Sequence, residues 1–168
     1  MPPKTLIRSA SRADLAAINE IYNHYVINSV CTYQEAPSTA DERGRWFDAH
    51  GPNQAIIVAE LDGQIVGYGS LSSFHQRSGY RFTAENSVYV RHEMLGRGIG
   101  GELLAELIRR ARSLGYRVII ATVDSGQESS LRLHERSGFV RCGQLKQVGF
   151  KFGRWLDVIY LQYLLPPI

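Results

Sequence analysis

Apolar positions change period several times along this chain, and each change marks an element. Leu15, Ile18, Ile21, Tyr22 and Tyr25 recur at helical spacing and form one face of a helix. Ser11 with Asp14 reads as a capping box at its start, and the stretch Thr5 to Arg8 before it as a short strand. From Ser29 to Ser38 no period holds, although Cys31, Thr32, Tyr33, Gln34 and Glu35 are side chains that can line a site. A second helix is expected to begin near Thr39, to contain Arg45, Trp46 and Phe47, and to stop before Gly51-Pro52. Ala55 to Leu61 and Ile65 to Leu71 then read as two strands joined at Asp62-Gly63, a strong hairpin signal.

The central stretch, Asn86 to Gly101, reads as strand, turn and helix. Ser87-Val88-Tyr89-Val90 is β-branched and aromatic. Gly96, Gly98, Gly100 and Gly101 follow, and Leu103, Leu104, Leu107, Ile108, Ala111 and Leu114 then take helical spacing. Glycines at a strand-to-helix junction permit positive φ and close approach of a ligand. The first N–H groups of a helix lack intrahelical partners, and with the helix dipole they favour an anion such as phosphate. Beyond this helix, Arg117 to Val123 is a buried-looking strand and Gln127 to Ser137 a helix ended by Gly138. Phe139 to Val148 and Trp155 to Leu164 form an antiparallel pair around Lys151-Phe152-Gly153-Arg154. Strands and helices in this order make an α/β layered sheet.

The glycine spacing narrows the kind of loop. A Walker loop would end in Gly-Lys-Ser/Thr, whereas Gly100-Gly101 is followed by Glu102. A dinucleotide fingerprint belongs at the first strand of a βαβ unit, with an acid on the next strand tip. Here GRGIGG lies past mid-chain, but Asp124 could imitate that acid, so the dinucleotide reading is only weakened. A bare glycine cluster also fits a structural turn equally well.

The flanking residues add information. Met94-Leu95-Gly96-Arg97-Gly98-Ile99-Gly100 resembles the Q/R-x-x-G-x-G/A pyrophosphate loop of the GNAT superfamily of acyl-CoA N-acyltransferases. Ser129 to Phe139 resembles that superfamily's second signature, and TAENSVYV with VGFKFGRWLDV resembles its phosphinothricin and methionine sulfoximine N-acetyltransferase branch. The resemblance runs over nearly the whole chain. It implies a single domain over residues 1–168: a GNAT fold with a twisted mixed sheet of about seven strands, helices on both faces, and central strands that splay apart around acetyl-CoA.

Composition is compatible with that class. The chain has 168 residues, 44% of them apolar, enough for one domain with a real core. A formal net charge of +3, without a basic run, gives no reason to expect nucleic acid. Two cysteines, Cys31 and Cys142, offer neither metal spacing nor a disulfide framework. No apolar run reaches membrane-spanning length and no signal-peptide core is visible, so a cytoplasmic protein with no membrane association and no metal is expected.

The resemblance also implies roles. The backbone of Leu95, Gly96, Arg97, Gly98, Ile99, Gly100 and Gly101 would hold the pyrophosphate, with Leu95 standing where relatives usually have Arg. Backbone groups of Val88, Tyr89 and Val90 would polarise the thioester carbonyl. Glu85 would be the general base that removes the amine's proton. His134 takes the place where the superfamily commonly has a thiol-protonating Tyr, so it is a candidate acid. Gln127 and Ser130 would contact the pantetheine. Neither cysteine lies in a recognisable nucleophile motif, which favours direct attack over an acyl-enzyme.

The acceptor is expected to be a small glutamate-like amino acid: phosphinothricin, methionine sulfoximine or sulfone, or arsinothricin. Arg can grip an α-carboxylate in bidentate fashion, and Arg77, His75 and Arg81 match different members of the branch. Tyr33, Tyr80 and Phe82 would wall the pocket, and Lys151 and Trp155 would approach from the C-terminal hairpin, which in relatives helps form a homodimer. Other acceptors, namely a protein N-terminus, a Lys or a polyamine, remain open, as does a non-catalytic acyl-CoA sensor.

Overall fold

The computed structural model describes residues 5–167. The strands are β1 (Leu6–Ser9), β2 (Ala55–Leu61), β3 (Gln64–Ser73), β4 (Thr83–Val90), β5 (Val118–Asp124), β6 (Val140–Lys151) and β7 (Arg154–Leu164). They form one seven-stranded sheet in the order β1-β2-β3-β4-β5-β7-β6. Every neighbouring pair is antiparallel except β4 with β5, so the sheet is mixed.

Helices cover both faces. On one face lie α1 (Leu15–Asn28) and α2 (Ala40–Asp48), where Ile18, Ile21 and Tyr25 meet Ile56, Val58 and Tyr68. On the other lie α3 (Ile99–Ser113) and α4 (Glu128–Arg136); Leu103, Leu104, Leu107 and Leu131 join Ile57, Ala84, Val90, Ile119 and Ala121 in the larger core. The core positions of α3 are the helical-period leucines of the sequence. Ser11 donates from its N–H to the Asp14 carboxylate at 2.7 Å, and the capping box opens a short 3-10 turn that leads into α1. Arg43, on α2, is buried with its guanidinium 4.6 Å from the ring centres of both Tyr22 and Trp46, so this charge is met by aromatic faces rather than a carboxylate.

Two strands run further than their apolar patterns suggest. β4 begins at Thr83, before the apolar run, and β6 continues to Lys151. The hairpin β6–β7 carries the exposed apolar side chains Val140, Leu145, Val148, Phe150, Trp155 and Leu164, which is why alternation there does not resolve an inner face.

Candidate active site

The parallel ladder between β4 and β5 has only three rungs, Thr83–Val118, Ala84–Ile119 and Glu85–Ile120. Beyond Glu85 the strands part, while β4 stays paired with β3 as far as Val90 and β5 with β7 as far as Asp124. Each therefore has one unpaired edge facing the gap. In β4 the backbone groups alternate in direction: Thr83 O accepts from Phe74 N and Arg91 N donates to Val66 O, so odd-numbered residues face β3. The N–H groups of Val88 and Val90 are left directed at the gap; that of Asn86 closes the last rung onto Ile120, and that of Tyr89 faces β3. The Val90 carbonyl on this edge accepts from Tyr25 Oη at 2.5 Å, which ties α1 to the strand end.

The gap opens into a cleft of about 890 Å³ that reaches from Glu85 to the turn before α3. Gly96 and Gly98 in this turn have φ of 78° and 83°, left-handed values that a side chain would resist. Gly98 is the N-cap of α3 and no side chain caps it. The opening N–H groups of α3 thus line the cleft, without partners among the described residues, and form an anion cradle. Gly100 adds close approach: a Cβ there would lie 3.3 Å from Leu133 on α4. Leu95 is half exposed at the rim.

Glu85 lies on the α1 face at the fork of the two strands, and among the described residues its carboxylate makes no hydrogen bond. Asn86, the next residue, points to the opposite face and is buried against His134 of α4. His134 Nδ1 contacts Ser130 O at 2.8 Å, and a carbonyl can only accept, so Nδ1 carries the proton. His134 Nε2 then accepts from Asn86 Nδ2 at 3.0 Å. Burial lowers the pKa of this imidazole, in keeping with the neutral tautomer.

Residues 29–33 cross the other wall of the cleft and are pinned at several points. Lys151 is buried and donates to Ser29 O at 2.7 Å and Thr32 O at 2.8 Å. Tyr33 donates its hydroxyl to Asp124 Oδ2 at 2.6 Å, and burial followed by that carboxylate raises its pKa. Cys31 donates its thiol to Gln127 Oε1 at 3.0 Å, and burial raises its pKa as well. Asp124 is also tied to Gly126 N at 2.9 Å. β4, α3 and the parallel β5 form a βαβ unit, but every other strand pair of the sheet is antiparallel and the Asp124 carboxylate is engaged by Tyr33 and Gly126, which is not the setting of a ribose acid in a doubly wound dinucleotide fold.

Of the site residues expected from sequence, Glu85, Val88, Tyr89, Val90, Leu95, Gly96, Gly98, Ile99, Gly100, Gly101, Gln127, Ser130, His134 and Tyr33 line this one cleft. Arg97 belongs to the turn but is not part of the lining. His75, Arg77 and Tyr80 instead meet around a separate small pocket on the loop between β3 and β4. Arg81 stacks on Phe82 at 4.5 Å, and all five residues of that loop are exposed. The chain by itself does not bring this set to the cleft. Lys151 does not approach the cleft as a free cation either, since the carbonyls of residues 29 and 32 take its hydrogens. The residues that sequence reasoning passed over are Asn86 and Asp124 in their pairing roles; a polar residue inside an otherwise apolar strand was the available signal for Asn86.

A parallel pair that opens beside a helix N-terminal anion cradle, with a free carboxylate at the fork, defines an acyl-CoA-type acyltransferase architecture. Comparison with known proteins gives the family. The acetyltransferase (GNAT) domain matches residues 7–160, and the chain belongs to the GNAT acetyltransferase family. It is 42% identical over 163 residues to an L-methionine sulfoximine/L-methionine sulfone acetyltransferase of Pseudomonas paraeruginosa, covering 96% of this chain and 95% of the relative. A phosphinothricin acetyltransferase of Sinorhizobium meliloti, solved with acetyl-CoA, superposes with a TM-score of 0.93 at 40% identity, covering 96% of this chain and 88% of that one. A ribosomal-protein-alanine N-acetyltransferase from Brucella melitensis superposes equally well, with a TM-score of 0.93 at 43% identity over 95% of this chain and 99% of that one.

Proposed function

We propose that this protein transfers the acetyl group of acetyl-CoA to the α-amine of a small glutamate-like amino acid, of the phosphinothricin and methionine sulfoximine or sulfone kind, arsinothricin included. The observation that carries the reading is Glu85, an unpaired carboxylate at the fork of β4 and β5, in the same cleft as the glycine cradle of α3. Pyrophosphate sits on the α3 N-terminus, the thioester carbonyl takes N–H groups from the open edge of β4, and Glu85 receives the ammonium proton directly or through water. Attack is direct: Cys31 is held in a hydrogen bond to Gln127 and its thiol pKa is raised, the opposite of an activated nucleophile. Acetylation removes the positive charge of an amino-acid toxin, which gives resistance as the biological role.

Arg77, His75 and Arg81, with Tyr80 and Phe82, lie apart from the cleft in the single chain, and the reading assigns them to the acceptor's carboxylate in the assembled homodimer. The loop from Phe74 to Phe82 contains two Arg and no carboxylate, which favours an amino-acid carboxylate over a polyamine. The exposed apolar face of β6 and β7, which includes Phe150 and Trp155, supports a homodimer. No helix among the described residues is long and apolar enough to cross a membrane, and the reading places the enzyme in the cytoplasm, acting on small molecules rather than nucleic acid.

The Brucella neighbour favours a protein N-terminus as the second reading. Thiol release from acetyl-CoA, measured with phosphinothricin, methionine sulfoximine, spermidine, and peptides presenting an N-terminal Ala or a Lys, separates the two. Preference for the first pair is the expected result, and preference for the Ala peptide overturns it. Tight acetyl-CoA binding with no turnover on any amine would make the protein a sensor.

A further inference from the structure

The tautomer of His134 has a consequence for the leaving sulfur. Its single N–H is given to Ser130 O and its lone pair is occupied by Asn86 Nδ2, so it has no proton facing the cleft to give. Asn86 Nδ2 carries two hydrogens, and only one goes to His134; among the described residues nothing takes the other. Asn86 Oδ1 is buried, and among the described residues it has no partner. Turning the amide over would not repair this, because Oδ1 would then face the imidazole lone pair. His134 therefore dictates which way the amide points, and the fold tolerates an unpaired buried carbonyl to keep it so. Asn86 belongs to the cleft lining, one residue beyond the fork, on the sheet face opposite to Glu85.

We infer that Asn86 is the residue that contacts the departing sulfur, through the free hydrogen of Nδ2, and that His134 is a positioning residue that aims it. This rests on the acetyltransferase reading above. In the step, the amine nitrogen bonds to the thioester carbonyl carbon, the C–S bond breaks, and its electron pair leaves on sulfur. The ammonium proton has already left through Glu85 to water, the second surplus proton of the nitrogen follows the same route after attack, and solvent supplies the proton that completes the thiol. An amide N–H can stabilise the thiolate without itself being transferred. The division of labour places the base on one face of the sheet and the sulfur contact on the other, with the carbonyl in the gap between them.

The test compares binding of CoA with desulfo-CoA, in which hydrogen replaces the thiol, by titration calorimetry at mildly alkaline pH, where the thiolate is populated. The wild type should prefer CoA by about tenfold to a hundredfold, the range of one hydrogen bond to a charged group. Asn86→Ala should abolish that preference and lower kcat about tenfold to a hundredfold, with desulfo-CoA affinity kept. His134→Gln keeps an acceptor near the position of Nε2 and should retain the preference, whereas His134→Leu should lose it. Ring nitrogen NMR should show His134 protonated at Nδ1 alone across the active pH range. An unchanged CoA preference in Asn86→Ala, or equal damage from His134→Gln and His134→Leu with a proton seen on Nε2, would overturn the assignment. Because the ligand pair contains no acceptor, a wrong amino-acid substrate would leave this result intact.

Discussion

Glu85 and Ile120 form the last rung of the parallel ladder between β4 and β5, and one residue later the strands separate. The proposed base is thus fixed by a paired backbone while its carboxylate lines the cleft, which would combine a rigid support with access to substrate. Glu85→Gln keeps the shape and removes the proton acceptor. Turnover of the best amine should fall by about 10²- to 10⁴-fold with acetyl-CoA affinity unchanged. Steady-state kinetics alongside calorimetry decides it, and undiminished turnover would remove Glu85 from the mechanism.

Much of this arrangement was legible in the sequence because it depends on local patterns. The helix faces of α1 and α3, the Asp62-Gly63 hairpin and the glycines before α3 each carry their own physical signal over a few residues. What was not legible depends on distant partners. Lys151 in a hairpin turn reads as a cation approaching the acceptor pocket, yet its hydrogens go to carbonyls more than a hundred residues earlier in the chain. The start of β4 at Thr83 was hidden because Glu85 and Ser87 face the cleft, so polar residues interrupt the apolar run where the site needs them. The loop from His75 to Phe82 has the right chemistry for a carboxylate, but composition cannot give the direction in which a loop folds.

Gly149 is the floor on which Tyr33 lies. A Cβ at this position would run into the Tyr33 ring, whose hydroxyl is bonded to Asp124. Gly149→Ala should therefore displace the 29–33 segment and cost about 1–3 kcal/mol, an overpacking penalty. Gly143→Ala, where an added Cβ meets nothing and φ is not positive, is the matched control and should stay within about 0.5 kcal/mol of wild type. Chemical denaturation measures both. Equal stability of the two variants would show that Tyr33 is not held by this contact.

Lys151→Met removes a buried ammonium together with the donors to Ser29 O and Thr32 O. Two half-buried carbonyls then lose their partners, at a cost of up to about 1–3 kcal/mol each when water does not replace them. The segment they hold lines the cleft, so KM for acetyl-CoA should rise along with the loss of stability. A variant with lower stability but wild-type KM would confine Lys151 to folding.

Asp14 connects the edge of the sheet to α1. Arg8 grips its carboxylate with two hydrogen bonds of 2.8 Å and Ser11 N adds a third, which, led by the Arg8 bonds, hold its pKa at about 2. A folded-state pKa below the unfolded value near 4 gives stability that is complete above pH 4 and is lost as pH falls toward 2. The contribution is about 2 kcal/mol. Asp14→Asn should be less stable than wild type at neutral pH, and its unfolding free energy should change less between pH 4 and 2. Parallel acid titrations of the two proteins, followed by circular dichroism, test the sign.

Leu95 offers a gain rather than a loss. It is 52% exposed at the rim of the glycine cradle, where the family pattern places a cation or an amide, and a leucine there adds no donor to an incoming phosphate. In the proposed site the cradle's own N–H groups would carry the pyrophosphate without it. Leu95→Arg has room for the longer side chain because the position already faces solvent. It should lower KM for acetyl-CoA about threefold to tenfold in low salt, through charge-assisted bonds to the pyrophosphate. The advantage should shrink as ionic strength rises and the Debye length contracts. A gain that persists in high salt would mean that packing, not charge, is responsible; no gain at all would mean that the pyrophosphate lies out of reach of this side chain.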